Sequence, residues 1–168
     1  MKQMNFFEHF NTLCRELDSH GVFLTVKDRD GRVNTMTIGW ATAGIIWSRP
    51  VMTVLVRPVR YTHNLIENAS TFTVSVPEGH NLEKELMYCG TTSGKGIDKA
   101  AKAGITLVPG MLANSLVVKE CKYFYECEII HKNVINEKTL SKEITDDLYT
   151  QKDFHSIYYG EIKHSYAL

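Results

Sequence analysis

The stretch from Asn34 to Pro77, NTMTIGWATAGIIWSRPVMTVLVRPVRYTHNLIENASTFTVSVP, limits the fold more than any other part of the chain. Apolar and β-branched runs alternate with Gly and Pro breaks, and only one helix-length segment, HNLIENA, interrupts them. The order reads as strand, turn, strand, a Pro-bent corner dense in Arg and Thr, a short helix and another strand. That order gathers polar and cationic groups at strand ends, which is how an anion site is built.

Within it, Val33 to Thr42 alternates in part and is read as a strand. Asn34, Met36, Ile38 and Trp40 form a bulky face, and Val33, Thr35, Thr37, Gly39 and Ala41 a small, hydroxylated one. A narrow face lets something flat approach the backbone, with Gly39 removing bulk altogether; barrel packing explains it equally well. Ser48-Arg49-Pro50 breaks the chain before the buried-type strand Val51 to Arg57, and Pro58 ends that strand. The Thr62 hydroxyl then stands where an N-cap is needed. Arg57 and Arg60 sit beside the positive end of that helix, where they suit a phosphate or carboxylate; pairing with Glu67 or Glu78 at the surface is the other reading.

The flanking sequence supplies the remaining elements. Phe6, Phe7, Phe10, Leu13, Cys14 and Leu17 recur at helical spacing up to Gly21. Val22 to Val26 is a strand, turned by Asp28-Arg29-Asp30-Gly31. Leu82 to Met87 is helical and leads into CGTTSGKG. That segment fails as a nucleotide-triphosphate loop, because Cys89 replaces the first glycine and Gly96 the final Ser or Thr. It remains a small-residue loop with hydroxyls, open N–H groups and Lys95, ahead of the helix IDKAAKAG. Residues 104 to 115 read as loop. Leu116 to Ile130 reads as one long strand, with Val117, Cys121, Tyr123, Tyr125, Cys127 and Ile129 inward and Glu120, Lys122, Glu126 and Glu128 outward. Residues 133–152 form a polar surface excursion with a helical turn near SKEITDDLY. A last strand carries a bulge or kink at Gly160, with His155 at its entrance as a packing, capping or contact residue.

At 168 residues the chain has the length of one domain, 1–168. Lys plus Arg and Asp plus Glu number 19 each, so no basic excess calls for nucleic acid or an anionic membrane surface. The N-terminus lacks the apolar run of a signal peptide and no long apolar span occurs, so a soluble, cytoplasmic protein is expected. Cys14, Cys89, Cys121 and Cys127 show no CxxC spacing and fit free, mostly buried thiols in a reducing compartment. Asn68-Ala69-Ser70 is a glycosylation sequon without meaning unless the chain is exported. The seven histidines show no metal-ligand spacing, and GxSxG and GxGxxG are absent. No catalytic side-chain set stands out. That leaves a cofactor carrying the reaction, or no reaction.

The blocks NTMTIGW, VRPVRYT, FTVSVP, CGTTSGKGIDK, EC…ECEII and HSIYYGEI resemble, in order over about residues 20–168, those of the flavin reductase-like family, also called the flavoredoxin type. The resemblance implies a mainly β fold with flanking helices: an FMN-binding split β-barrel, antiparallel and Greek-key, working as a homodimer with FMN near the subunit interface. It sets Asn34, Thr35, Met36, Thr37, Ile38, Gly39 and Trp40 along the isoalloxazine ring. Arg57, Arg60, Tyr61 and Thr62 would lie along the ribityl phosphate, joined by Ser93, Gly94 and Lys95, and His155 is the remaining contact. NADH or NADPH is the implied reductant, giving hydride to flavin N5 without an acid or base from the protein. The alternatives are an electron carrier reduced by a redox partner protein without nicotinamide turnover, and a barrel for another planar cofactor such as haem or a deazaflavin. The insert at 133–152 is longer than in compact members, which leaves the substrate side open.

Overall fold

A computed structural model describes residues 2–3, 5–79 and 81–168, the first two as backbone only. Met1 and Met4, which fall in the stretch read for a signal peptide, and His80 lie outside the described residues. The chain runs β1 (Lys2–Gln3), α1 (Phe10–Asp18), β2 (Val22–Lys27), β3 (Val33–Ile38), β4 (Ala41–Ile46), β5 (Arg49–Val56), α2 (Tyr61–Ile66), β6 (Thr71–Val76), α3 (Glu83–Thr91), α4 (Lys99–Ala103), β7 (Leu107–Pro109), β8 (Leu116–Val118), β9 (Tyr123–Val134), a 3-10 turn (Glu137–Thr139), α5 (Lys142–Leu148) and β10 (Ser156–Ala167). Among the described residues no helix is long and apolar enough to cross a membrane.

The main sheet is antiparallel, in the order β3-β2-β6-β9-β10-β5-β4, with β1 added on β10. Its two edge strands are consecutive in the chain. β3 passes into β4 through Gly39 and Trp40, and the Trp40 carbonyl accepts from Leu55 N–H at 3.4 Å. The edges therefore meet at one end and part at the other, which makes the sheet a split barrel. Leu24, Val26, Met52, Val54, Val74 and Tyr125 fill its interior. Each such side chain contributes about 1.5–3 kcal/mol by leaving water. α3, α4 and the β7–β8 ribbon cover the outer face of β2 and β9, closing over Phe23, Leu86, Cys89 and Phe124.

Several expectations are corrected. α1 starts at Phe10 and not at Phe6, and its Cys14 is exposed. Val33 to Thr42 is not one strand: Gly39 and Trp40 turn the chain and Ala41–Ile46 is a strand of its own. Arg49 and Pro50 belong to β5, joined to β4 by Trp47-Ser48, both left-handed at φ 54° and 57°. This two-residue turn was hidden because neither residue is the Gly or Asn such a turn favours. Pro50 is tolerated because it pairs with Ile45 beyond the reach of the β10 ladder.

Thr62 is not the cap of α2; Arg60 occupies that position without a side-chain cap bond. The 104–115 loop contains β7, and Leu116 to Ile130 is two strands broken at 119–122. Glu126, expected to face solvent, is fully buried. The outer face of β9 is itself covered by the 110–115 segment. Met111 and Leu112 N–H, Ser115 Oγ and Tyr166 Oη donate to the Glu126 carboxylate at 2.6–2.7 Å. The expected irregularity at Gly160 is present as a register shift between Tyr159 and Gly160. A Cβ there would come within 2.6 Å of Cys127 and Phe72.

Candidate functional site

Where β3 and β4 part, the split opens as a cavity of about 250 Å³. Met36 to Trp40 form one wall, faced by Leu55, Arg57, Arg60 and His155. A second cavity of about 110 Å³ adjoins it, bounded by Asn34, Tyr61, Thr62 and the 91–94 loop, with Lys99. Met36 and Arg60 line both, so the two form one elongated site: a flat strand-lined compartment leading into a smaller cationic one.

The local fold explains the small compartment. Pro58 ends β5 at the corner, so Arg60 caps α2 directly above the β3 edge. Arg60 donates through Nη2 to the Gly90 carbonyl, and no carboxylate pairs with it among the described residues. Burial, then the neighbouring Arg57 charge, lowers its pKa. Lys99 is buried and donates to the Cys89 and Thr92 carbonyls at 2.8 Å each. Burial pushes it down to about 8. An ammonium has three donors, so one remains. Asn34 Nδ2 donates to Thr62 Oγ1 at 2.7 Å, while Asn34 Oδ1 is buried without a partner.

The large compartment is differently charged. Arg57 lines it but is committed to the insert, donating to Asp153 at 2.5 Å and to the Leu148 carbonyl at 2.8 Å. Its hydrogen bond holds the Asp153 carboxyl below its ordinary value. Both surface pairings considered for the arginines, Glu67 and Glu78, are occupied by Lys132 with Tyr158 and by Lys122 with Tyr123. His155 is buried, its ring 4.8 Å from Trp40 and its Nδ1 2.7 Å from Tyr149 Oη. Burial, with Arg57 near, pushes its pKa down to about 4, so the ring is neutral at physiological pH.

Of the fifteen residues singled out in the sequence, the structure brings all but Thr35 and Lys95 to this site. Thr35 turns to the other side of β3, where its hydroxyl meets Thr25 Oγ1 at 2.9 Å. Lys95 is exposed, its N–H bonded to Ser93 Oγ. The cation in its place is Lys99, which sequence reasoning left within a helix; Lys95, Lys99 and Lys102 carry no signal that separates them. Leu55 and Thr92 were also missed, as was Tyr149, which stands behind the lining against His155. Ser156 Oγ lies 3.0 Å from His63 Nε2, but Glu67 approaches that same nitrogen, at 4.0 Å, and Ser156 is buried, so no nucleophile is set up.

Fold and site together define a split-barrel protein whose strand-lined cleft leads into a smaller cationic compartment. The chain belongs to the flavin reductase like domain family, whose model matches residues 15–167. It is 32% identical over 107 residues to an uncharacterised protein of Archaeoglobus fulgidus, covering 64% of this chain and 59% of that one. A Pyrococcus abyssi protein is 32% identical over 119 residues, covering 70% and 66%. The chain thus spans less than two thirds of either relative. Among solved structures it resembles the flavoredoxin of Desulfovibrio vulgaris (Miyazaki F), with TM-score 0.68, 27% identity and coverage of 88% and 69%. An FMN-binding protein from Thermus thermophilus with bound p-hydroxybenzaldehyde gives TM-score 0.65 at 22% identity, covering 87% and 71%. An NADH:FAD oxidoreductase of Streptomyces globisporus gives 0.65 at 18%, covering 100% and 88%. The last two show the fold.

Proposed function

We propose that the protein binds FMN in the elongated site and transfers electrons from NADH or NADPH through it to an acceptor. The observation that carries this reading is the small compartment. An Arg60 with no carboxylate partner among the described residues, a Lys99 with a spare donor and the Thr62 and Ser93 hydroxyls surround a space the size of a phosphate monoester. The bare Gly94 face lets Asn34 pack against the 91–94 loop, which holds two walls of this compartment together.

In this reading Arg60 and Lys99 hold the phosphate, while Thr62 and Ser93 fix its orientation. The Met36–Trp40 strand backs the ring with apolar side chains and backbone groups, and Trp40 with His155 closes one side. Arg57 holds the insert against the site. FMN, when bound, supplies the capacity to accept a hydride and to release electrons singly or in pairs. The protein contributes binding, orientation and water exclusion, and no side chain needs to exchange a proton.

The likeness to a flavoredoxin favours a second reading, an electron carrier reduced by a partner protein. Anaerobic spectra separate the two. Bleaching of bound flavin by NADH or NADPH supports the first; bleaching by dithionite alone supports the second. A homodimer with the site near the interface is also proposed. The β4–β5 hairpin supports it, presenting Ile45 and Trp47, each 58% exposed. Light scattering that returns a monomer mass would overturn it.

A further inference from the structure

The insert between β9 and β10 buries one side chain behind the lining of the large compartment, against His155, Trp40 and Arg57. Nothing on α5 is buried, yet Tyr149, which follows it, is 2% exposed. Arg57 lies over the Tyr149 ring at 5.1 Å, and Phe154 stacks on it at 4.9 Å. Arg57 also grips the segment on either side, at the Leu148 carbonyl and at Asp153. The anchoring of the insert thus converges on setting one phenol against one imidazole.

The direction of the Tyr149–His155 hydrogen bond follows from the other groups around it. Burial raises the Tyr149 phenol above its ordinary value and the His155 ring is neutral, so the pair shares one phenolic proton and one imidazole proton. The phenol oxygen has no other hydrogen-bond partner among the described residues, and a buried O–H that must donate has Nδ1 as its one acceptor within reach, so the phenolic proton goes to Nδ1. An imidazole that accepts at Nδ1 carries its proton on Nε2. That nitrogen has no protein partner among the described residues, and the ring lines the large compartment. The charged groups facing His155 are Arg57 and Asp153, which pair with each other.

We infer that Tyr149 is a positioning residue that fixes His155 as an Nε2–H donor toward the large compartment, so that the site selects ligands presenting a hydrogen-bond-accepting edge there. Identifying that edge as part of a flavin ring rests on the proposed function; the tautomer does not.

The test uses the whole chain labelled with nitrogen-15 histidine, first without flavin. The wild-type His155 ring should show the Nε2–H pattern, and Tyr149→Phe should turn it into a mixture. An Nδ1–H ring in the wild type, which needs no variant, overturns the inference, and so do identical spectra in the two proteins. With FMN added, Tyr149→Phe should weaken binding roughly 3- to 10-fold, the size of one hydrogen bond. In a His155→Asn background the same change should add nothing; additive losses would mean that Tyr149 acts by packing alone and would overturn it. Wild-type protein that binds no FMN overturns the functional reading instead, and the tautomer still decides this one.

Discussion

Asn34 and Gly94 meet at the floor of the cationic compartment so closely that a Cβ on Gly94 would lie 1.9 Å from Asn34 Oδ1 and 3.3 Å from the Tyr61 ring. Asn34 cannot simply retreat, because its amide is held by Thr62. Gly94→Ala should therefore push the 92–96 loop off the β3 edge. We expect a stability loss of about 1–3 kcal/mol from overpacking, together with weaker FMN binding, read by thermal unfolding and flavin fluorescence. Unchanged values in both would contradict the contact.

Lys99, and not the exposed Lys95, carries the second positive charge of the compartment. Lys99→Met should weaken FMN binding roughly 10- to 100-fold, as expected for one charge-assisted hydrogen bond, while Lys95→Ala stays within about twofold. Riboflavin, which lacks the phosphate, should bind both variants as it binds the wild type. A larger effect at Lys95 than at Lys99 would move the site.

The same lysine sets a pH dependence. Its folded pKa of about 8 lies below the ordinary 10.5. Between those values the unfolded chain binds more protons than the folded one, so the Lys99 contribution to stability rises with pH and levels off above the unfolded pKa. FMN affinity should run the opposite way, falling once the ammonium is lost above about pH 8. Titrations from about pH 7 to 10 should show this fall in the wild type and not in Lys99→Met.

Glu126 should matter to stability alone. Glu126→Ala would leave two backbone N–H groups and the Ser115 and Tyr166 hydroxyls without their acceptor. A loss of about 3 kcal/mol or more is expected in denaturant unfolding, with FMN affinity unchanged once the protein is folded.

How much of this could be read from the sequence follows from which interactions are local. The β-rich stretch 34–77 and the 89–96 segment, whose first three residues prolong α3, announced two segments of one site, because Pro, Gly and β-branched residues act through their own backbone. Gly160 was legible for the same reason. The turn at Trp47-Ser48 was not, since its left-handed residues are held by the β4–β5 ladder and not by their own preference. Glu126 looked solvent-facing because alternation reports the two faces of a strand and not whether a second layer covers one of them. Arg57 and Arg60 look alike in sequence. Only the fold separates them, by bringing Asp153 from 96 positions away to the first and giving the second no carboxylate among the described residues.

The central claim, that Arg60 and Lys99 grip the phosphate of a flavin whose ring lies along Met36–Trp40, is tested most directly by titrating the protein with FMN and with riboflavin and following flavin fluorescence. The account predicts saturable binding of FMN, and riboflavin binding weaker by roughly 10-fold or more, the share of a charge-assisted phosphate grip. Equal affinity for the two, or no binding of either, would contradict it.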